Sequence, residues 1–269
     1  MCRSAAEGAE LGPLLERLRR WGPAATLHSA AAGAPVPPLR PLPELVHDYA
    51  AEIGTACMPV AASQFLQRYA YRLLTPAVIA WITEDVIPDL GLANTRVRYG
   101  TGRDLSFTLV HPVGAGPVTW DEGVAWVARR LVEGHLQPVM AELADAFRLN
   151  PRPLRMNAAA PLLYTFAVCD RVPALRSRGR GVMDGVLAAL FGGERPRLIA
   201  ADPACGGRLQ LLDRRCCCLK HLLPGATGCA ECPLLPEADR RARIGDLAGR
   251  DELLPDLHPP DLRPGPVPG

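Results

Sequence analysis

The chain has 269 residues, 48% of them hydrophobic and 22% charged, which suits a globular protein with a substantial core and excludes a disordered or fibrous one. A formal net charge of +2 leaves no electrostatic footprint for nucleic acid or for an anionic membrane surface. The apolar stretches are too short and interrupted to span a bilayer, and MCRSAAEGAELGPLLERLRR places acids and arginines where a leader needs an apolar run. A soluble, cytoplasmic protein is the expectation, and in that compartment clustered cysteines hold metal or do redox chemistry rather than form disulfides.

In chain order, Leu11, Leu14, Leu15 and Leu18 recur at helical spacing and predict a short amphipathic helix over 9–22. The prolines of AAAGAPVPPLRPLP (30–43) then fix an extended connector. PELVHDYAAEIG predicts a helix that ends near Gly54. PVAASQFLQRYAYRLLTPAVIAWITED predicts another, with Phe65, Leu66, Tyr69, Leu73 and Leu74 as its apolar positions. Pro76 is expected to break or kink it, and the apolar run Ala77 to Trp81 is expected to be buried. TRVRYGTGRDLSFTLV changes period. Val97 and Tyr99, then Leu105, Phe107 and Leu109, alternate on either side of GTGRD and predict a β-hairpin near 96–110.

TWDEGVAWVARRLVEGHLQPVMAELADAFRLN (119–150) predicts a long amphipathic helix. Thr119 is its N-cap, Glu122 completes a capping box, and Pro138 should bend or divide it. Helices over 153–169 and 180–192 follow, joined by a basic loop whose Arg171, Arg176, Arg178 and Arg180 either attract an anion or are simply solvated. A last helix covers 236–248, and a Pro-rich tail, expected to be mobile, ends the chain. The fold class is mainly α (α+β): a helical body with one β-hairpin near 96–110 and a C-terminal cysteine-rich cluster loop.

No internal repeat, phosphate-binding glycine loop, dinucleotide fingerprint, nucleophile elbow or paired-histidine metal helix occurs. Chemistry concentrates instead in CCCLKHLLPGATGCAEC (216–232), which holds five of the nine cysteines. Cys229 and Cys232 form a C-x2-C pair, and with the adjacent Cys217 and Cys218 the pattern is C-C-x10-C-x2-C. Four thiolates suit either one tetrahedral zinc or a two-iron cluster. Zinc asks for four sulfurs around one point, which adjacent cysteines serve poorly, whereas a 2Fe–2S cluster spreads its ligands over a larger object. Spacing alone leaves both open. Cys216 competes with its neighbours, Cys205 is a spare, Cys57 and Cys169 read as small buried hydrophobes, and Cys2 is incidental. Arg214, Arg215 and Lys220 flank the thiols, where they either stabilise a negatively charged cluster or are solvated surface charges.

RRCCCLKHLLPGATGCAECPL resembles the C-terminal signature of the FhuF-type ferric siderophore reductases. That family binds a 2Fe–2S cluster through C-C-x10-C-x2-C, and Cys217, Cys218, Cys229 and Cys232 match it position by position. MPVAASQFLQRYAYRLLTPAVIAW, GHLQPVMAELADAF and Asn157 in LRMNAAAPLL are similar to upstream parts of the family, so the likeness covers roughly 45–235. This chain departs from it at Cys216, often a small hydroxyl residue, and at Arg155 and Met156, where an aromatic and a glycine are usual.

The resemblance implies one-electron reduction of a ferric siderophore, with Cys217, Cys218, Cys229 and Cys232 as metal ligands and no catalytic residue beyond the cluster. It further implies an electron donor of unidentified kind and transient contact with a siderophore importer at the membrane. The alternative keeps the same four cysteines around zinc in a structural or interaction protein. A siderophore-synthetase-like relative ranks last, since no ATP-binding machinery is present. The segments on this reading are 1–43, an N-terminal helix and Pro-rich connector; 44–200, a helical reductase-like body; 201–250, the 2Fe–2S-binding segment; and 251–269, the tail.

Overall fold

The computed structural model describes residues 7–30, 40–116, 118–194, 196–200, 209–250 and 253–260. Cys2 and Cys205 lie outside them. The architecture is mainly α with three small sheets. No helix among the described residues is long and apolar enough to cross a membrane.

Strand β1 (Glu7–Glu10) leads into helix α1 (Gly12–Arg19), whose Leu14, Leu15 and Leu18 are buried as their spacing predicts. The short strand β2 (His28–Ser29) and helix α2 (Leu42–Glu52) follow. Helix α3 (Met58–Glu84) is the pillar of the fold, with nearly every residue from Val60 to Ile82 buried. Pro76 sits inside it without ending it, so of the expected break or kink the break does not occur. A proline forfeits one backbone bond and crowds the preceding turn. Here packing on all sides holds the helix together, as tertiary burial does for most helices.

The predicted hairpin is present as β4 (Thr95–Tyr99) and β5 (Leu105–Leu109), antiparallel from Thr95 opposite Leu109 to Tyr99 opposite Leu105. Strand β2 adds to β5 in parallel. A second sheet, in the order β1–β6–β3, is built from β3 (Ile87–Pro88) and β6 (Val113–Ala115). These two strands are too short for an alternation to register in the sequence.

Helix α4 (Trp120–Trp126) opens with the predicted capping box: the Thr119 N–H donates to Glu122 Oε2 (2.9 Å) and the Glu122 N–H to Thr119 Oγ1 (3.5 Å). The expected division at Pro138 takes another form. Residues Val127–Leu136 are π-helical and run directly into α5 (Gln137–Phe147). The Gln137 N–H bonds the Val132 carbonyl, five residues back. A wider turn before the proline changes register instead of breaking the rod, in a geometry rarely sustained beyond a single turn.

The π-helical stretch carries His135, which is fully buried. Its Nδ1 lies 2.5 Å from the Leu90 carbonyl, and its Nε2 lies 2.5 Å from the Tyr69 hydroxyl. A carbonyl only accepts, so Nδ1 carries the proton and Nε2 accepts from Tyr69 in the neutral ring.

Helix α6 (Pro151–Asp170) packs along α3, where Thr75 and Thr165 hydroxyls meet at 2.9 Å. Helix α7 (Arg176–Leu190) starts earlier than its pattern indicates, so most of the predicted basic loop is helical. Its arginines are engaged: Arg176 and Arg180 lie 3.5 and 3.9 Å from Asp170 Oδ1, and Arg178 pairs with Asp85. Strands β7 (Leu198–Ala200) and β8 (Gln210–Leu212) form the third sheet, and α8 (Glu237–Ala248) is the predicted last helix.

One hydrophobic core joins the helices and most of the strands, from Leu11 to Leu257. The described part of the tail is therefore not loose. The Tyr71 hydroxyl donates to Asp256 Oδ1 (2.8 Å), the Ala24 N–H donates to the Asp256 carbonyl (2.9 Å), and Leu257 is buried. Gly22, at φ 101°, accepts that carbonyl at a distance a side chain would forbid, since a Cβ there would lie 2.8 Å from it.

Candidate metal centre

The cysteine segment enters from β8 and is seated on the first turns of α3 and the first half of α6. The seat grips the main chain of Cys218. Ser63 Oγ and Gln64 Nε2, both buried, donate to its carbonyl at 2.7 and 2.6 Å. Asn157 Nδ2 donates in turn to Ser63 Oγ (2.8 Å), and Arg214 donates to Asn157 Oδ1. Arg214 is not a solvated surface charge. It is 1% exposed, and its other partner is the equally buried Glu231 (3.5 Å), whose second oxygen accepts from the Tyr164 hydroxyl (3.1 Å). Arg215 and Lys220, by contrast, are exposed.

Beyond the seat the chain turns sharply. Leu219 is left-handed (φ 65°), which costs a side-chain-bearing residue about 1–2 kcal/mol. The turn directs the Leu219 N–H at Cys217 Sγ (3.3 Å), and His221 Nδ1 lies at the same 3.3 Å from that sulfur. Gly225 and Gly228, at φ 71° and 78°, return the loop. A tight turn between Cys229 and Cys232, closed by the Cys232 N–H on the Cys229 carbonyl (3.2 Å), then brings the second pair in.

The structure brings Cys218 and Cys229 together, with sulfurs 3.6 Å apart. Two thiolates bound tetrahedrally to one metal at 2.3 Å lie about 3.8 Å apart, so this pair is already at ligand spacing. The two thiols hydrogen-bond each other, and that contact lowers the Cys218 pKa, while Arg214, the Lys220 N–H and Gln67 lower it further. The same contact, with burial and Glu231, raises Cys229. Burial raises the Cys217 pKa, and the thiols of Cys218 and Cys232 add to the rise against the lowering by the Leu219 N–H.

Cys218 and Cys232 are buried, and Cys217 and Cys229 are half-buried. Among the described residues no three metal-ligating side chains converge as a closed cage for one ion. Gln67 is the further side-chain donor beside the pair, acting on the Cys218 sulfur.

Cys216 faces elsewhere. It lines a cavity of about 380 Å³ beside the cysteine segment, together with Arg152 and Arg155 at the start of α6 and Arg215. Met156 and Phe191 give that cavity apolar wall. Cys169 is buried, as expected for a small hydrophobe, whereas Cys57, expected to be buried, is exposed at the N-cap of α3.

The sequence singled out the thiols, Arg214 and Asn157, but not the other side chains that support the segment. Glu231, inside C-A-E-C, carried a signal, since a carboxylate between two thiols calls for a buried cation. Ser63, Gln64 and Gln67 carried only the resemblance of their stretch, and Tyr164 carried no signal, because their partners are distant in sequence. Neither a scan against protein-family models nor a search of curated proteins returns a match for this chain.

Proposed function

We propose that the chain is a 2Fe–2S protein that reduces the ferric ion of a siderophore by one electron, with Cys217, Cys218, Cys229 and Cys232 as cluster ligands. The observation that carries the reading is the Cys218–Cys229 pair at 3.6 Å, flanked by the amide donor of Gln67. Iron–sulfur sites use N–H donors to the sulfurs to set their potential, so both the donor set and its surroundings fit such a group. The C-C-x10-C-x2-C spacing and its resemblance to FhuF-type reductases add the reaction.

When bound, a 2Fe–2S cluster supplies a one-electron store. The chain's own residues do the rest. Ser63 and Gln64 fix the Cys218 main chain, and the buried Arg214 cation favours the ionised form of both Cys218 and Cys229. In the net reaction a one-electron donor protein is oxidised and Fe(III) becomes Fe(II). Hydroxamate or catecholate oxygens hold Fe(III) far more tightly than Fe(II), so one electron loosens the metal, and no acid–base or nucleophilic machinery is required.

Anaerobically purified protein tests this. Reddish-brown colour, visible bands that bleach on dithionite, and two irons and two acid-labile sulfides per chain are expected. Cys218→Ser should lose the bands and Cys216→Ser should keep them. A colourless protein with one zinc per chain would overturn the reading in favour of a structural zinc site.

A further inference from the structure

The cavity beside the cysteine segment has the wrong charge to be mere packing space. Arg152, Arg155 and Arg215 line it, and among the described residues no carboxylate lies within 4.0 Å of any of the three. Two acids also line it. Asp213 is spoken for, with Arg197 at 3.0 Å and Arg240 at 2.5 Å, which leaves Glu194 against three arginines. Arg152 further sits in the first turn of the 20-residue helix α6, the positive end of its dipole, with Arg155 just beyond it.

Three guanidiniums without a carboxylate partner among the described residues, around a cavity with the apolar wall of Met156 and Phe191, suit a ligand with anionic oxygens on an organic frame. Cys216 reaches the same cavity, and Cys217 follows it directly in the chain, so a bound ligand lies next to the thiol segment. The arginines of α7, the other basic stretch, are spent on Asp170 and Asp85.

We infer that this cavity is the substrate site and that it selects ferric chelates of net negative charge, tris-catecholate or hydroxycarboxylate in type, over neutral and cationic hydroxamates. The inference rests on the proposed reductase function and names its substrate class. Arg152, Arg155 and Arg215 act by binding. They draw the anionic chelate in and hold it beside Cys216, and because they are exposed their pull weakens as salt rises.

Gallium(III) chelates test it, since gallium matches the size and charge of Fe(III) and accepts no electron. Calorimetry on the full chain should give at least tenfold tighter binding of a gallium tris-catecholate (net charge 3−) than of a neutral gallium trihydroxamate at low salt, with the gap closing at high salt. Arg152→Glu/Arg155→Glu should lose at least tenfold for the tris-catecholate while the cluster bands and the melting temperature stay as in the wild type. Equal affinities for the two chelates, binding of neither, or a double variant that binds like the wild type would overturn the inference. A colourless protein that still discriminates by charge would keep the anion cavity and remove the reductase reading, so the two failures are separable.

Discussion

Arg214 offers the sharpest test of how the thiol segment is held. It is 1% exposed and Glu231 is 3% exposed, so the pair is effectively inside the protein. Replacing Arg214 by Met keeps the volume and removes the cation. The Glu231 carboxylate then stays buried with the Tyr164 hydroxyl (3.1 Å) as its remaining partner, and Asn157 Oδ1 loses its donor. Breaking one side of a buried ion pair costs about 3–5 kcal/mol. For a chain of this size each kcal/mol is worth about 2–4 °C, so the apparent melting temperature should fall by about 6–20 °C.

Urea denaturation followed by circular dichroism measures the change, and an unaltered slope checks that the unfolded state is the same. The double variant Arg214→Met/Glu231→Leu should recover most of the loss, because an apolar pair of similar volume removes both charges together. If Arg214→Met lies within about 0.5 kcal/mol of the wild type, a scale set by ordinary surface substitutions, the buried pair is not what seats the segment. A double variant as unstable as the single would refute the uncompensated carboxylate as the cause.

His135 predicts an acid limb in stability. Burial lowers its pKa from the ordinary 6.5 to about 4. The unfolded chain therefore binds the extra proton first, and stability, full above pH 6.5, should fall by about 3 kcal/mol as pH drops toward 4. Urea titrations at pH 7 and pH 4.5 read the slope, and it should flatten in His135→Gln; an unchanged slope there would assign it to other groups. Ser63→Ala removes one of the two donors to the Cys218 carbonyl and leaves the Asn157 amide without its acceptor, so it should cost about 1–3 kcal/mol. On the proposed 2Fe–2S reading it should also speed chelator-driven bleaching of the visible bands, and bleaching at the wild-type rate would separate the seat from the site. Thr119→Ala removes the capping box of α4 and should cost about 1 kcal/mol by thermal denaturation.

Local chemistry was legible where the chain carried it locally. The leucines of α1, the alternation of β4 and β5 and the Thr119–Glu122 box each sit within one element, and each formed where its pattern pointed. Pro76 does not end its helix, and Pro138 lies just inside a change of helical type, because what a helix does at a proline depends on packing that the local sequence does not express. The thiol spacing was legible as a cluster, and the fold brings Cys218 and Cys229 of it to 3.6 Å. Which arginine of the pair Arg214–Arg215 turns inward was not, and nothing near residue 64 announced a hydrogen bond to residue 218. The separation of Cys216 from its two neighbours is also a product of the turn, since three identical side chains in a row carry no directional signal.

Ser63 and Gln64 precede Cys218 by 155 and 154 residues, and that separation sets a timetable. A ribosome adding 5–20 residues per second makes the seat about 10–30 s before it makes the cysteine the seat will hold. Asn157, Tyr164 and Arg214 are all translated within that interval, each earlier than the thiols. The most oxidisable stretch of the chain is thus the last part of the centre to be synthesised, and every upstream side chain that will anchor it has already been made.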